Sequence, residues 1–576
     1  MNIVRLIVIY PIFEFLALVA LIILIILRKK PAARTKSKPF FYWFFVIRRR
    51  PWIAFLLIGL MAFSASALLT VFTGIPQPRV HDEFSYLLAA DTFAHGRLTN
   101  SPHPMWKHFE TFHVIQHPTY TSKYPPAQGL ILAAGQVIFG HPIVGVWLSV
   151  GLACAAICWM LARWVPLHWA WIGGLIAVIR IVFSGPTGLS YGSFAYWSQS
   201  YWGGTVAALG GALVFGALPR IMKKPNRRDS LWLALGLAIL ANSRPFEGLV
   251  VSIPVMVVLG IWIIKSNFVS WRIRFFQIVL PVVLFLLLAA SWMGFYNYRV
   301  TGDPFRLPYQ IHESTYGIVP IFLWQSLNAE PKYNHIILEI FYRSSIIMYF
   351  KQRSLKGWLI YSIIKILRFY LFFFGIIFIP SMLFLAVSRK LWHRRNVMFP
   401  FGICTLMMAA LLTEMWFFPH YAAPITCLCL LLVVESLRHA RHYTWQGQRI
   451  GKYYVRGVLP LLLVSAIASF ASFAVANYLN QPSAWYLDKA RILRELEQGM
   501  EQHLVIVRYD QNHSEHHEWV YNRADIDGAK VVWAREMDTQ ADKELLEYFK
   551  NRRVWLLQAD QIPRCLIPYH SGSSSE

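Results

Sequence analysis

The chain has 576 residues, of which 56% are hydrophobic and only 15% charged. Soluble domains carry roughly 25% charged residues, so this composition excludes an ordinary water-soluble protein. The formal net charge of +26 would suit a nucleic-acid partner if the cations formed one face, but they fall in short clusters between long apolar runs, which excludes that class and points to a membrane.

Residues 3–27 form the first apolar run. It carries Arg5 and Glu14, lacks a small-residue cleavage pattern and leads into a basic segment, so it is predicted to be a retained anchor, not a signal peptide. A helix needs about 20 apolar residues to cross a bilayer, and 52–74 meets that length. Further spans are predicted at 145–163, 168–184, 203–219, 230–243, 247–264, 275–295, 369–388, 397–417, 421–437 and 456–478, giving about twelve transmembrane helices. They must be helices, because backbone groups in lipid have to be satisfied within the segment.

Basic clusters at 28–50, 220–228, 265–274, 389–395 and 438–456 mark the cytoplasmic side and suit contacts with anionic membrane lipid. Fixing them inside places two long segments, 75–144 and 296–352, on the outer side together with both termini. Within the first, 128–140 is apolar but too short to cross, and is predicted to be a re-entrant or interfacial helix. Residues 353–368, interrupted by Lys356, Lys365 and Arg368, are predicted to form an interfacial helix. Residues 481–576 alternate short strand-like runs with a helical pattern and predict a small extramembrane α/β domain. The organisation is therefore an anchor and basic segment over 1–51, a transmembrane domain over 52–480, and the α/β domain over 481–576. Cys154, Cys158, Cys404, Cys427 and Cys429 lie in apolar runs as packing residues, and no disulfide framework is predicted.

Chemistry-bearing residues concentrate in the outer segments. His81-Asp82-Glu83 follows the span 52–74 directly. Adjacent acids at a membrane edge are costly to desolvate, and a raised pKa would suit a general base. The same pair would also complement the dipole of a helix starting there. Tyr124-Pro125-Pro126 precedes the short apolar run, where proline suits a helix start. Arg244-Pro245-Phe246-Glu247 sets opposite charges three apart between two spans, as an ion pair or as part of a substrate-lining surface. Arg180 is expected to snorkel from a span end. Cations for a leaving phosphate are offered by His420 with Tyr421, and by Arg343, Lys351 and Arg353. His420 equally suits an aromatic belt, and Arg353 a snorkelling anchor. Asp303 and Glu313 are reserve acids in a loop rich in turn signals. The run from His513 to Glu518 has metal-type residues without ligand spacing, and is predicted to be solvated surface.

The order of basic segment, first core span, Asp82-Glu83 with Tyr86 and the Leu-Ala-rich stretch 87–94, then Tyr124-Pro125-Pro126 and a run ending Phe139-Gly140 resembles the first outer loop of GT-C superfamily membrane glycosyltransferases. That superfamily includes the protein O-mannosyltransferases and the bacterial lipid A aminoarabinose transferase. The resemblance covers the loop closely and the span layout of 52–480 loosely, and does not extend to 481–576. It implies a GT-C-like fold in a bacterial inner (plasma) membrane, with a polyprenyl-phosphate-linked sugar as donor and a lipid, glycan or protein hydroxyl as acceptor. It also implies inverting transfer on the periplasmic face, Asp82 as general base, Glu83 orienting the acceptor or Asp82, and His420 and Tyr421 near the lipid phosphate. The sequence requires no cofactor. Residues 185–202 lack the second acid that the family often carries in its next outer loop, so no metal-binding residue is assigned and a divalent ion stays open. The alternative from another class is a transporter or flippase of lipid-linked sugars. Transporters place charged, broken-helix sites near the midplane and show repeated halves, whereas polar residues here gather in the outer segments.

Overall fold

The computed structural model describes residues 9–27, 50–183, 195–479 and 484–569. The basic cytoplasmic segment expected over 28–49 and the start of the aromatic loop at 185–194 lie outside the described residues. The chain forms two compact units, one made of Met1–Ile75, Ile143–Trp292 and Ser354–Ala476, the other of Pro76–Pro142, Met293–Arg353 and Asn477–Glu576.

The first unit is helical. Among the described residues, eight helices are long and apolar enough to cross a membrane: Pro51–Thr73, Pro142–Trp164, Thr205–Lys223, Pro245–Lys265, Trp271–Thr301, Arg395–Leu412, Pro419–Ala440 and Ile450–Val475. The chain is a multi-pass membrane protein. Ile9–Ile26, Leu167–Phe183 and Arg227–Ala241 are helices at three more of the predicted spans. Thr205–Lys223 and Pro419–Ala440 are mostly buried, whereas little of Trp271–Thr301 is. Small residues permit the tight contacts: a Cβ on Gly236 would come within 2.7 Å of the Gly210 carbonyl oxygen, so these two helices meet backbone to backbone.

One stretch differs from the sequence expectation. Residues 353–368 were expected to lie at the interface and 369–388 to cross. Instead a single helix runs Leu355–Phe373, stops, and is followed by a short helix Ile379–Val387. The break has a chemical cause. Gly375 takes the left-handed conformation, φ 74°, and the freed N–H groups of Ile376 and Ile377 donate to Glu14 Oε2 at 2.6 and 3.5 Å. Arg180 pairs with Glu14 and donates to the Leu371 and Phe372 carbonyls. Arg180 therefore does not snorkel; it is buried with its counter-ion and closes off the end of a broken helix. Lys365, taken from sequence as an interfacial cation, is also buried and donates to the Glu414 carbonyl.

The second unit gathers the two long outer segments and the C-terminal residues. Helices His81–Ala94 and Pro126–Phe139 pack against each other. Between them β1 (Val114–Ile115) pairs antiparallel with β2 (Thr121–Ser122). Helices Pro308–Tyr316 and Ile336–Arg353 come from the second outer segment. In the C-terminal part, β3 (His503–Arg508) lies parallel to β4 (Val531–Arg535) and β5 (Arg553–Gln558), and β6 (Leu566–Pro568) runs antiparallel to β5. The continuous apolar run of β3 suits a strand covered on both faces, and Leu504, Val505, Ile506 and Val507 are all fully buried. Helix Thr539–Tyr548 is capped by Asp538, whose Oδ1 accepts the Gln540 and Ala541 N–H groups at 3.1 and 2.9 Å. The C-terminal residues build one apolar cluster of their own, with Trp485, Val505, Trp519 and Trp533, and share a second, in which Leu88, Phe109, Val114 and Tyr120 meet Ile506, Val532 and Leu545.

Candidate functional site

Helix His81–Ala94 begins at an extended Val80. Glu83 turns back to accept the Arg79 N–H at 2.7 Å. A buried carboxylate thus anchors the chain entering the helix, as an acid at the third helical position commonly does. This local bond sets where Asp82, one residue earlier, emerges.

Asp82 Oδ1 accepts the Tyr124 hydroxyl and lies 3.5 Å from His113 Nδ1. The Tyr124 hydroxyl is itself 3.1 Å from His113 Nδ1, so it stands between carboxylate and imidazole. Tyr124 reaches this position because its N–H bonds Ser122 Oγ at 3.1 Å, its ring stacks on Tyr86 at 4.4 Å, and Pro125-Pro126 start the next helix. That helix can approach only because Gly129 has no side chain: a Cβ there would come within 2.8 Å of Ala89 and Phe93. Ser85 Oγ is 2.7 Å from Ser122 Oγ and donates to the His113 carbonyl at 2.6 Å, fastening the hairpin to the helix.

Around this centre, Lys123 is buried with Nζ 3.8 Å from Glu313 Oε1 and 4.9 Å from the Tyr309 ring centroid. Glu313 lies 3.6 Å from His312 Nδ1, and the Tyr342 hydroxyl is 3.2 Å from His312 Nε2. His81 stacks on Phe112 at 4.2 Å and bonds the Tyr521 hydroxyl through Nδ1 at 2.8 Å.

The electrostatics correct one expectation. A raised pKa was anticipated for the acid pair. Burial does push Asp82 up, but His113, the Tyr124 hydrogen bond and Lys123 outweigh it and hold the carboxyl well below the usual range. Burial and Lys123 lower the His113 ring, against the pull of Asp82, and the same two causes push His312 down to about 3. At neutral pH an ionised Asp82 therefore faces neutral imidazoles. Asp82 is not sealed in: its side chain keeps 33% of its exposure.

The other residues singled out from sequence fall as follows. Arg343 pairs with Glu330 and with Glu339 at 3.1 Å on an exposed face. Arg353 donates to the Tyr349 hydroxyl at 2.6 Å. Asp303 Oδ1 accepts the Phe305 N–H at 2.8 Å in an exposed turn, whereas Glu313 joins the cluster through Lys123. In the helical unit, Arg244 lies 3.6 Å from Glu247, the ion pair expected from their spacing, and its guanidinium sits 4.5 Å over the Tyr421 ring. His420 Nδ1 bonds the Tyr196 hydroxyl. The run 513–518, expected to be solvated, is partly interior. His513 is held by Asp560 at 2.7 Å, Glu518 by Arg535 at 2.6 Å, and the His516 ring lies 6.2 Å from that of His81. The apolar strands β3 and β4 draw it inward.

His113, Lys123, His312 and Tyr342 were missed from sequence. Two had neighbours as signals: Lys123 adjoins Tyr124, and His312 adjoins Glu313. Among the described residues no group of three or more His, Cys, Asp or Glu is placed to hold a metal ion.

No protein-family model and no curated protein matches the chain. Among solved structures it is similar to ArnT from Cupriavidus metallidurans in the apo state, at 14% identity and a TM-score of 0.45, over 86% of this chain and 92% of that one. For the same protein bound to undecaprenyl phosphate the identity is 13% and the TM-score 0.46. It is also similar to the Archaeoglobus fulgidus oligosaccharyltransferase tethered with an acceptor peptide, at 11% identity and a TM-score of 0.43, over 88% and 69% of the two chains.

Proposed function

We propose that this chain is a GT-C-type membrane glycosyltransferase that moves a sugar from a polyprenyl-phosphate donor to an acceptor hydroxyl on the periplasmic face of a bacterial inner membrane. The observation that carries the reading is Asp82 itself. It is an ionised, partly exposed carboxylate at the start of the helix that follows Pro51–Thr73, with a tyrosine and a histidine on its Oδ1 and a lysine nearby. A soluble sugar nucleotide has no need of such a placement; a lipid-borne donor does.

The chemistry asks little else of the protein. An acceptor hydroxyl donates to Asp82, which takes up its proton as the oxygen attacks the anomeric carbon. The bond from that carbon to the phosphate oxygen breaks with its electron pair, and the configuration inverts. Negative charge grows on the departing phosphate, where fixed cations and donors have their largest effect. Lys123 is the cation nearest this chemistry in the outer unit. Arg343 and Arg353 are the further candidates in this unit for holding the donor, and His420, Tyr421, Arg244 and Glu247 are substrate-binding candidates of the helical unit by itself. Glu83 acts through Asp82 by fixing the helix start.

A flippase of lipid-linked sugars is favoured by one observation, the charged set of half-buried Arg244 with buried Glu247, Lys365 and Glu414 in the helical unit. Membranes containing wild-type or Asp82→Asn protein, supplied with undecaprenyl-phosphate hexoses labelled in the sugar, separate the two. The transferase loses about 10²–10⁴-fold in transfer on this substitution. Label that crosses sealed vesicles without ever changing carrier would establish the flippase instead.

A further inference from the structure

A carboxylate held far below its ordinary range is a poor place to leave a proton at neutral pH. An alcohol that gives its proton to Asp82 alone would take it straight back unless bond formation were already complete. The cluster contains a better resting place. Building on the transferase reading, we propose that His113 is the final acceptor of the acceptor's proton, which reaches it from Asp82 through the Tyr124 hydroxyl.

The geometry is that of a relay. Tyr124 Oη contacts Asp82 Oδ1 on one side and His113 Nδ1 on the other at 3.1 Å, while carboxylate and imidazole remain 3.5 Å apart. The step balances. The acceptor O–H bond breaks and its proton goes to Asp82 as the oxygen forms its bond to the anomeric carbon. Asp82 then passes a proton to the tyrosine oxygen while Tyr124 passes its own to His113 Nδ1. The carboxylate is regenerated, Tyr124 stays neutral, and the positive charge appears on an imidazolium beside Asp82.

A second observation marks His113 independently. Its φ is +61°, a left-handed conformation that non-glycine residues seldom adopt, shared among the described residues by Ala195 and Gln446 alone of the non-glycines. The strain is held by two bonds to its carbonyl, from Ser85 Oγ at 2.6 Å and from the Lys123 N–H at 3.3 Å. Backbone held this way concentrates where a side chain must be aimed, and here the ring is aimed at Tyr124 and Asp82.

The groups around the ring keep it receptive. Helix His81–Ala94 presents Asp82 and the His81 ring, 5.8 Å away between centroids. The hairpin presents Tyr124 and Lys123. Helix Pro308–Tyr316 presents Glu313 and the His312 ring at 5.9 Å, and helix Ile336–Arg353 the apolar Phe341 ring at 6.0 Å. Burial and Lys123 favour the neutral imidazole before the reaction, while Asp82 and Glu313 favour the imidazolium after it. The ring is thus neutral enough to receive and partnered enough to hold.

The test compares kcat and its pH dependence for wild type, His113→Gly, Tyr124→Phe and Asp82→Asn, using labelled undecaprenyl-phosphate hexoses in detergent or membranes. Glycine accepts φ +61° without strain, so His113→Gly separates loss of the imidazole from loss of the fold. Wild-type kcat is expected to fall on the acid side, below the ordinary histidine value of about 6.5. His113→Gly is expected to lose about 10²-fold or more in kcat with little change in KM, to lose that acid limb, and to recover activity with added imidazole. Tyr124→Phe loses a similar factor without rescue. His113→Gly at wild-type kcat with its acid limb intact, beside an inactive Asp82→Asn, overturns the relay and leaves the transferase standing. Asp82→Asn at the wild-type rate, or no donor consumed by wild type, overturns the transferase and the relay together.

Discussion

Each of the two units buries charge, and they do so for opposite ends. In the helical unit, Glu14 and Arg180 neutralise each other and turn their remaining polar atoms on backbone groups freed at the helix break after Phe373. Little is left over for a ligand. In the outer unit, Asp82 is held on one oxygen by Tyr124 and His113 and keeps a third of its side chain exposed. Its partners are a hydroxyl and an imidazole, groups that give and take protons, where the partners of Glu14 are an arginine and peptide N–H groups, which do not. A buried ion pair closed on the backbone is architecture; a carboxylate left open beside titratable neighbours is chemistry.

That contrast can be broken in order of expected effect. Arg180→Ala leaves Glu14 buried without its counter-ion and is expected to destabilise the protein by about 3–5 kcal/mol, read as lost thermal stability in detergent. Replacing Glu14 and Arg180 together by leucine should cost less than Arg180→Ala alone, and a greater loss would count against a purely structural pair. Lys123→Met is expected to lower transfer by roughly 10²-fold, the scale of losing one donor to a developing anion, with a smaller change in melting temperature.

A third expectation concerns acid. His81, His113 and His312 all have folded-state values below the ordinary one. Folding therefore favours their neutral forms, and the unfolded chain binds more protons once the pH falls below about 6.5. The outer unit should lose stability on that side only, by up to about 1.4 kcal/mol per pH unit for each histidine. His312, pushed down to about 3, contributes to that slope across the whole acid range, so His312→Gln should flatten the melting profile between pH 6 and pH 4. The smallest effect belongs to Arg343→Ala. Its exposed pairs with Glu330 and Glu339 should be worth under about 1 kcal/mol, and unchanged transfer would remove Arg343 from the donor-holding set.

What the sequence made legible follows from distance along the chain. The long apolar runs announce themselves by composition, and Arg244 and Glu247 by a helical spacing that the structure keeps at 3.6 Å. Glu83 and Asp82 were readable as a helix-start pair because capping is local. The rest depends on partners far apart: Glu14 lies 166 positions from Arg180, and His81 lies 440 from Tyr521. No periodicity reports such pairs. The helix break at Gly375 was invisible for that reason, since its cause is a carboxylate from the first helix. Lys365 was misread because a lysine that bonds a buried carbonyl looks, in sequence, like one that reaches for water. The sign of the Asp82 shift was missed in the same way: the burial that would raise it was foreseen, whereas His113 and Lys123, which lower it, were placed only by the fold.

The most direct measurement takes Asp82→Asn and wild type through one preparation, recording melting temperature and sugar transfer from labelled undecaprenyl phosphate side by side. A carboxylate kept open for chemistry predicts transfer reduced by about 10²-fold or more in protein that is still folded, with a lower melting temperature because the fold holds the ionised form. Transfer that persists, or that falls only in proportion to the protein that unfolds, would contradict it.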